Sequence, residues 1–403
     1  MQRVIYRRND TLGTRRVFSP GDILILLFLF LAAMNIVSKS TYCFFFAFLL
    51  CLVTRKKIYL ARKIVPVFFF TVSLLIFWPG AKSSLTRMLA AFTYPICFFV
   101  GNNLLMKHET RENRERAFAA LILCLAAGTW IHMMLNAQMS VGEDIGRNTK
   151  DFWTGELRSA TGQAGLGILT IGLSAAVLFS DLRLRYKLLA AGALTAVMWY
   201  NLTLAGRTLL VMLLIAAVVA FCYRLIAKKN GKLSLLLGVI ILLAAVMLLY
   251  SANTFGVRDL VEESNLYQRL FAEQEAEMLE SGRLDRKLQY LKYLLEYPVG
   301  GGHIRRAVGG YAHDLYLDTY DEAGIFAFLS ICVISLQSVA GLAALLKQKR
   351  CTFFTRLLAL CVLACLHMEF WIEPILAGLD WMIAMLCAIN GAMVCLTEQE
   401  SLQ

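Results

Sequence analysis

The residue types suited to polar chemistry gather between Ser281 and Gly324. Arg283 opens a stretch in which Leu284, Leu288, Leu291 and Leu295 recur at helical spacing, with Arg286, Lys287 and Tyr290 on other faces. Ser281 suits an N-cap at its start, and Tyr297-Pro298 ends it, because proline disfavours helix in the residue before it. Gly300-Gly301-Gly302 follows, then Gly309-Gly310, with Arg305 and Arg306 between the two glycine groups. Consecutive glycines allow positive φ and close backbone approach, and exposed amides in such a turn form a concavity for anions. His313 and Asp314 then lead through Asp318 and Asp321 to Gly324. A basic, glycine-rich surface bearing one imidazole is chemistry for an anionic substrate.

The rest of the chain must hold that surface, and its composition is that of a membrane protein. Of 403 residues 59% are hydrophobic and 17% charged, with mean hydropathy +0.63. Average globular chains are about 45–50% apolar and about 25% charged. A bilayer's hydrocarbon core of about 30 Å needs about 20 apolar residues per helix. Such runs lie near 21–37, 40–54, 64–79, 84–105, 117–137, 160–180, 186–204, 207–226, 233–252, 322–346, 353–372 and 374–396. The expected fold is therefore all-α: one polytopic membrane domain over 1–403 with about twelve transmembrane helices. A long loop at 253–321 is inserted between spans nine and ten. Trp371-Ile372-Glu373-Pro374 is the only break between the last two runs.

Charge gives the orientation. Loops 1–20, 55–63, 106–116, 181–187, 224–232 and 347–356 carry 25 Lys/Arg, whereas the opposite short loops and the adjoining span ends carry seven. Lys and Arg collect on the cytoplasmic side, so both termini are expected in the cytoplasm and the long loop outside. The net charge of +12 reads as topology, and no nucleic-acid partner is needed to explain it. The first span reads as an uncleaved helix, because twenty polar and basic residues precede it without a cleavage site after it. Of eleven cysteines none lies in the outer loop, so no disulfide framework is expected there, and no CxxC or His/Cys metal spacing occurs.

The run Ser281-Gly282-Arg283, the Leu-rich helix, Tyr297-Pro298-Val299-Gly300-Gly301-Gly302, then His313-Asp314-Leu315-Tyr316-Leu317 and Ala323-Gly324 resembles the signature of the O-antigen ligase and O-antigen polymerase family. These bacterial cytoplasmic-membrane enzymes transfer sugar chains from undecaprenyl-diphosphate carriers during cell-envelope polysaccharide biosynthesis. Upstream, Ala205-Gly206-Arg207 is similar to the family's Ser-Arg step, and Arg158-Ser159-Ala160-Thr161-Gly162 to its polar approach to another span. The match is specific over 281–324 and loose over 158–210. Asp314 stands where Asn is usual, and the helix after Arg283 lacks the common Trp.

The resemblance implies a metal-independent glycosyltransferase without a cofactor. His313 would be the general base toward an acceptor hydroxyl; an imidazole with the ordinary pKa of about 6.5 is mostly neutral at pH 7, as a base must be. Arg207 and Arg283 would hold the carrier diphosphate through planar, permanently charged guanidinium groups. Arg158, Gly300, Gly302, Arg305 and Asp314 complete the expected substrate-binding set. Each has a plainer reading: His313 as a helix-capping interfacial histidine, Arg207 as a snorkelling arginine, Arg283 as a solvated helix face. Arg158 fits a span anchor equally, Arg305 and Arg306 a solvated basic pair, and Asp314 an N-cap. Asp318 and Asp321 suit the start of a helix and are read as structural.

The expected partners are an undecaprenyl-diphosphate-linked glycan donor, a glycan or lipid acceptor, membrane lipid and polysaccharide assembly proteins. Polymerase is preferred over ligase. A twelve-span transporter or flippase fits the same topology, but such sites lie near the midplane between paired repeats, and no repeat is visible. A scaffold with an outer interaction loop, using the acidic stretch Arg258 to Glu280, has no specific support.

Overall fold

The computed structural model describes residues 17–55, 57–139, 148–227, 247–267 and 283–398. The N-terminal loop before residue 17, the ninth expected span up to residue 246, the Ser281 cap and the acidic stretch from 268 onward lie outside the described residues.

Helices form where the apolar runs lie. They are α1 (Pro20–Ala33), α2 (Ser40–Thr54), α3 (Val65–Phe77), the short α4 (Pro79–Lys82), α5 (Leu85–Met106) and α6 (Arg111–Met139). A hairpin of β1 (Asn148–Lys150) and β2 (Leu157–Ser159) leads to α7 (Ala160–Leu178), α8 (Leu184–Leu204) and α9 (Arg207–Ala227). The segment 253–321 contributes α10 (Val257–Glu262), α11 (Asn265–Tyr267), α12 (Arg283–Tyr293) and α13 (His303–Val308). Three long helices follow: α14 (Leu315–Lys347), α15 (Phe353–Ile372) and α16 (Trp381–Glu398). Among the described residues the fold is all-α apart from the hairpin. Six helices among the described residues (α5, α6, α7, α9, α14 and α15) are long and apolar enough to cross a membrane, while α1, α2 and α16 are apolar but shorter.

Side chains mark the helix starts. Ser19 caps α1 in a reciprocal bond with Asp22, Ser159 caps α7, and Thr352 caps α15, each meeting an amide that the helix itself leaves unpaired. At the centre α7 is flanked by α6, α8, α9 and α15. α5 and α16 cross in backbone contact: a Cβ on Gly101 would sit 2.0 Å from the Ala388 carbonyl oxygen, and one on Gly391 2.0 Å from that of Phe98. Small residues that let backbones touch are how apolar helices associate without a hydrophobic drive. Outward, α9 presents Val211, Leu214 and Val218, and α14 presents Phe326, Leu329 and Leu336.

Two devices fasten the insert to the start of α14. The carboxylate of Asp318 accepts the amides of Ala312 and Asp314 at 2.8 and 3.2 Å, and that of Asp321 accepts those of Ile304 and Arg305 at 2.7 and 3.1 Å. These two acids are structural, acting on loop amides across the fold. The second device is glycine. α14 kinks at Gly324 (φ 78°, ψ −177°), and Gly300 packs directly on that kink, where a Cβ would lie 2.5 Å from the Gly324 nitrogen.

α12 lies with its polar side inward. Tyr290 is fully buried with Ile304, Ala312 and Tyr320, and its hydroxyl donates to the Gly310 carbonyl at 2.9 Å. Leu284, Leu288, Leu291 and Leu295 face outward, Leu295 94% exposed. The periodicity is as expected from the sequence, yet the leucines do not enter the protein core.

Candidate active site

Glu373 lies at the end of α15, where Pro374 breaks the helix, and its carboxylate is fully buried. Segments far apart in sequence meet on it. Arg283, the first residue of α12, brings Nη1 to 3.7 Å from Oε1, and the same nitrogen donates to the Ile372 carbonyl at 3.1 Å. Thr208, beside Arg207 at the start of α9, donates its hydroxyl to Oε1 at 3.1 Å. His313 faces the other oxygen, with Nδ1 3.8 Å from Oε2. That is charge-pairing distance and longer than a hydrogen bond. Both atoms are enclosed, and neither has a hydrogen-bond partner among the described residues.

The backbone at His313 is left-handed, φ 55°, which costs a non-glycine residue strain. Asp318 holds it there by gripping the amides on either side. Asp314, next along, caps α14 through the amides of Tyr316 and Leu317. Its other oxygen meets Lys287 Nζ at 3.1 Å, and Nζ also donates to the Trp371 carbonyl at 2.6 Å. Thus α12 lays Arg283 and Lys287, one turn apart, across the end of α15 and the start of α14. Arg207 is half-buried at the opening of α9 and makes no ion pair among the described residues.

The glycine run does something different from the sequence expectation of an open anion concavity. The amides of Gly301 and Gly302 donate to the Glu322 and Asp321 carbonyls of α14 at 3.1 and 2.8 Å. Together with the contact of Gly300 on Gly324, this makes the run a packing joint. Arg305 pairs with Glu322 (Nη1 to Oε1, 2.6 Å) and lies over the Tyr311 ring; Glu322 also accepts from the Trp78 indole at 3.1 Å. Burial works to lower the Arg305 pKa, but Glu322 and Tyr311 outweigh it and hold the guanidinium firmly charged.

Arg305 and Arg306 line a cavity of about 630 Å³ together with Arg87, Trp78, Tyr94 and Tyr311, floored by Leu376 to Gly378 and Asp380. The segment after Glu373 thus joins the carboxylate site to this basic, aromatic-walled cavity.

Arg158 lies apart from Glu373. In β2 it pairs with Thr149 of β1, and its Nε is 2.7 Å from Asp151 Oδ2. The same oxygen meets His132 Nε2 of α6 at 2.9 Å. Burial works to raise the Asp151 carboxyl, but the His132 hydrogen bond, the Arg158 charge and the Trp153 amide outweigh it and hold it well below the usual carboxylate range.

Glu373, Thr208, His132 and Asp151 are absent from the sequence-derived site. Glu373 carried a readable signal: with Glu369 it forms an acidic pair one turn apart at the end of an otherwise apolar run, and ionisable residues there are functional by default. Among the described residues no cluster of His, Cys, Asp and Glu has metal-site geometry. Compared with family models and with curated proteins, the chain matches none of them.

Proposed function

We propose that this chain is a bacterial membrane glycan transferase of the O-antigen ligase and polymerase type. It moves a sugar chain from an undecaprenyl-diphosphate carrier to an acceptor hydroxyl, with polymerisation preferred to ligation. The observation that carries the reading is the convergence of Arg283 and His313 on the Glu373 carboxylate, to which Thr208, the neighbour of Arg207 in sequence, also donates. In this reading about twelve helices span the cytoplasmic membrane, both termini are cytoplasmic, and 253–321 lies outside. The outward leucine face of α12 supports a helix lying in the membrane interface, its apolar side in lipid and its basic side toward the protein.

The chemistry follows from the groups. The acceptor hydroxyl attacks the anomeric carbon, a carbon–oxygen bond forms, and the bond to the diphosphate breaks with its electron pair leaving on phosphate. The hydroxyl proton passes to His313. Nδ1 is enclosed against Glu373, which leaves Nε2 as the nitrogen toward the acceptor, and the carboxylate steadies the imidazolium as it forms. Arg283 and Arg207 neutralise charge on the departing diphosphate, the electrostatic assistance this reaction needs without a metal. The cavity walled by Trp78, Tyr94 and Tyr311 and edged with arginine suits polar glycan, whose ring faces rest on aromatic surfaces.

The test is His313→Ala in the full chain, with membrane insertion checked by protease protection and products read as a glycan length ladder. Loss of elongation with the protein still inserted is expected; a normal ladder refutes the role.

A further inference from the structure

A second cavity, of about 180 Å³, adjoins the first and shares Ala90, Gly378 and Asp380 with it. It is lined by residues of seven elements, among them His132 of α6, Arg158 of β2, Trp381 of α16 and Ser40 of α2. His132 is 1% exposed, and its Nδ1 is enclosed without a hydrogen-bond partner among the described residues. Its other nitrogen, Nε2, meets the Asp151 carboxylate at 2.9 Å, so Nδ1 is the ring nitrogen left for a ligand. A buried polar atom left without a partner costs on the order of 1–3 kcal/mol, and a ligand that hydrogen-bonds to it recovers that cost.

We propose that this smaller cavity is a carbohydrate subsite that holds one pyranose ring of the acceptor glycan. A ring hydroxyl hydrogen-bonds to His132 Nδ1, the Arg158 guanidinium edge donates to ring oxygens, the Asp380 carboxylate accepts from further hydroxyls, and Trp381 offers a flat apolar face. A cavity of this volume takes a single sugar ring, and the lining it shares with the larger cavity at Ala90, Gly378 and Asp380 places the remainder of the glycan beside the arginines. His132 and Asp151 are binding and positioning residues here, remote from the proton transfer assigned to His313. The hairpin makes the site rigid: Tyr200 donates to Thr149 at 2.7 Å, and the Phe152 amide to Asn136 Oδ1 at 2.7 Å. The proposal rests on the glycan-transferase reading, and its test separates the two.

The experiment is saturation-transfer NMR on the full chain in lipid nanodiscs, titrated with the methyl pyranosides of glucose, galactose, N-acetylglucosamine and glucuronic acid. At least one of them is expected to bind saturably to the wild type and to His313→Ala alike. Asp151→Asn is expected to weaken that binding about tenfold, the loss of one well-formed buried hydrogen bond. Because Asp151 also ties the hairpin, Thr41→Trp serves as the second variant; it fills the cavity from its α2 wall, leaves the His132–Asp151–Arg158 contacts intact, and is expected to abolish binding. No binding to the wild type, or equal binding to Thr41→Trp, overturns the proposal. Binding that is lost in Thr41→Trp, in a chain that transfers no glycan, upholds the subsite and sinks the transferase reading instead.

Discussion

Arg283 and His313 face the two oxygens of one buried carboxylate, Nη1 at 3.7 Å from Oε1 and Nδ1 at 3.8 Å from Oε2 of Glu373. Neither contact is a tight hydrogen bond, so both side chains can turn to a substrate while Thr208 keeps the carboxylate in place. Glu373→Gln keeps the Thr208 bond and removes the charge. Transfer is expected to fall roughly tenfold or more, as for loss of the partner that steadies a general base, with the protein still folded. Glu369→Gln, one turn earlier, is the control: its carboxylate is buried with neither oxygen hydrogen-bonded among the described residues. That variant is expected to fold with near wild-type stability and to transfer at the wild-type rate, because it exchanges one buried polar group without a partner for another of the same shape. A Glu373→Gln enzyme at full rate removes Glu373 from the site.

The His132–Asp151–Arg158 cluster gives an acid dependence whose sign is fixed. The Asp151 carboxyl is held down in the folded chain, so its contribution to stability is fully present above the unfolded value of about 4 and is lost as pH falls toward the folded one. Thermal unfolding in detergent at stepped pH is expected to show Asp151→Asn below the wild type at pH 7, with the gap narrowing under acid. Parallel curves down to acid pH contradict this.

The glycine joint predicts a ranking. Gly300→Ala has φ +86° and a Cβ that would meet the Gly324 nitrogen at 2.5 Å, so a loss of about 1–3 kcal/mol or more is expected. Gly309→Ala, at φ +81° with nothing near its Cβ, is expected to cost only the backbone term of about 1 kcal/mol. Gly192→Ala, within α8 and facing open space, is expected to be neutral or mildly stabilising. Equal melting temperatures for Gly300→Ala and Gly309→Ala would remove the packing argument.

Nitroxide labels test the seating of α12. With Cys222, the exposed cysteine among the described residues, replaced, labels at Leu288→Cys and Leu291→Cys in liposomes are expected to favour collisions with oxygen over a water-soluble nickel chelate. Equal access to the chelate places that face in water.

The sequence made some of this legible and hid the rest for physical reasons. Apolar run length located the long helices among the described residues, and the 281–324 pattern singled out Arg283 and His313, which both lie beside Glu373. The outward orientation of the α12 leucines was hidden, since periodicity defines a stripe without saying whether protein or lipid covers it. Glu373 was readable as half of an acidic pair with Glu369, but its partners were hidden, because Thr208, Arg283 and His313 come from three separate segments and such pairings leave no local spacing. The same holds for His132 with Asp151 and for Arg305 with Glu322. The glycine amides misled for a different reason: a run that permits an anion cradle equally permits close backbone packing, and only the partner strand of chain, here α14, decides between them.

The most direct measurement is release of polyprenyl diphosphate from a synthetic undecaprenyl-diphosphate oligosaccharide by the purified chain in nanodiscs, with acceptor present and divalent metal chelated. The account predicts acceptor-dependent release by the wild type, reduced about a hundredfold or more in His313→Ala and comparably in Arg283→Ala. No release by the wild type, or unchanged release by His313→Ala, contradicts it.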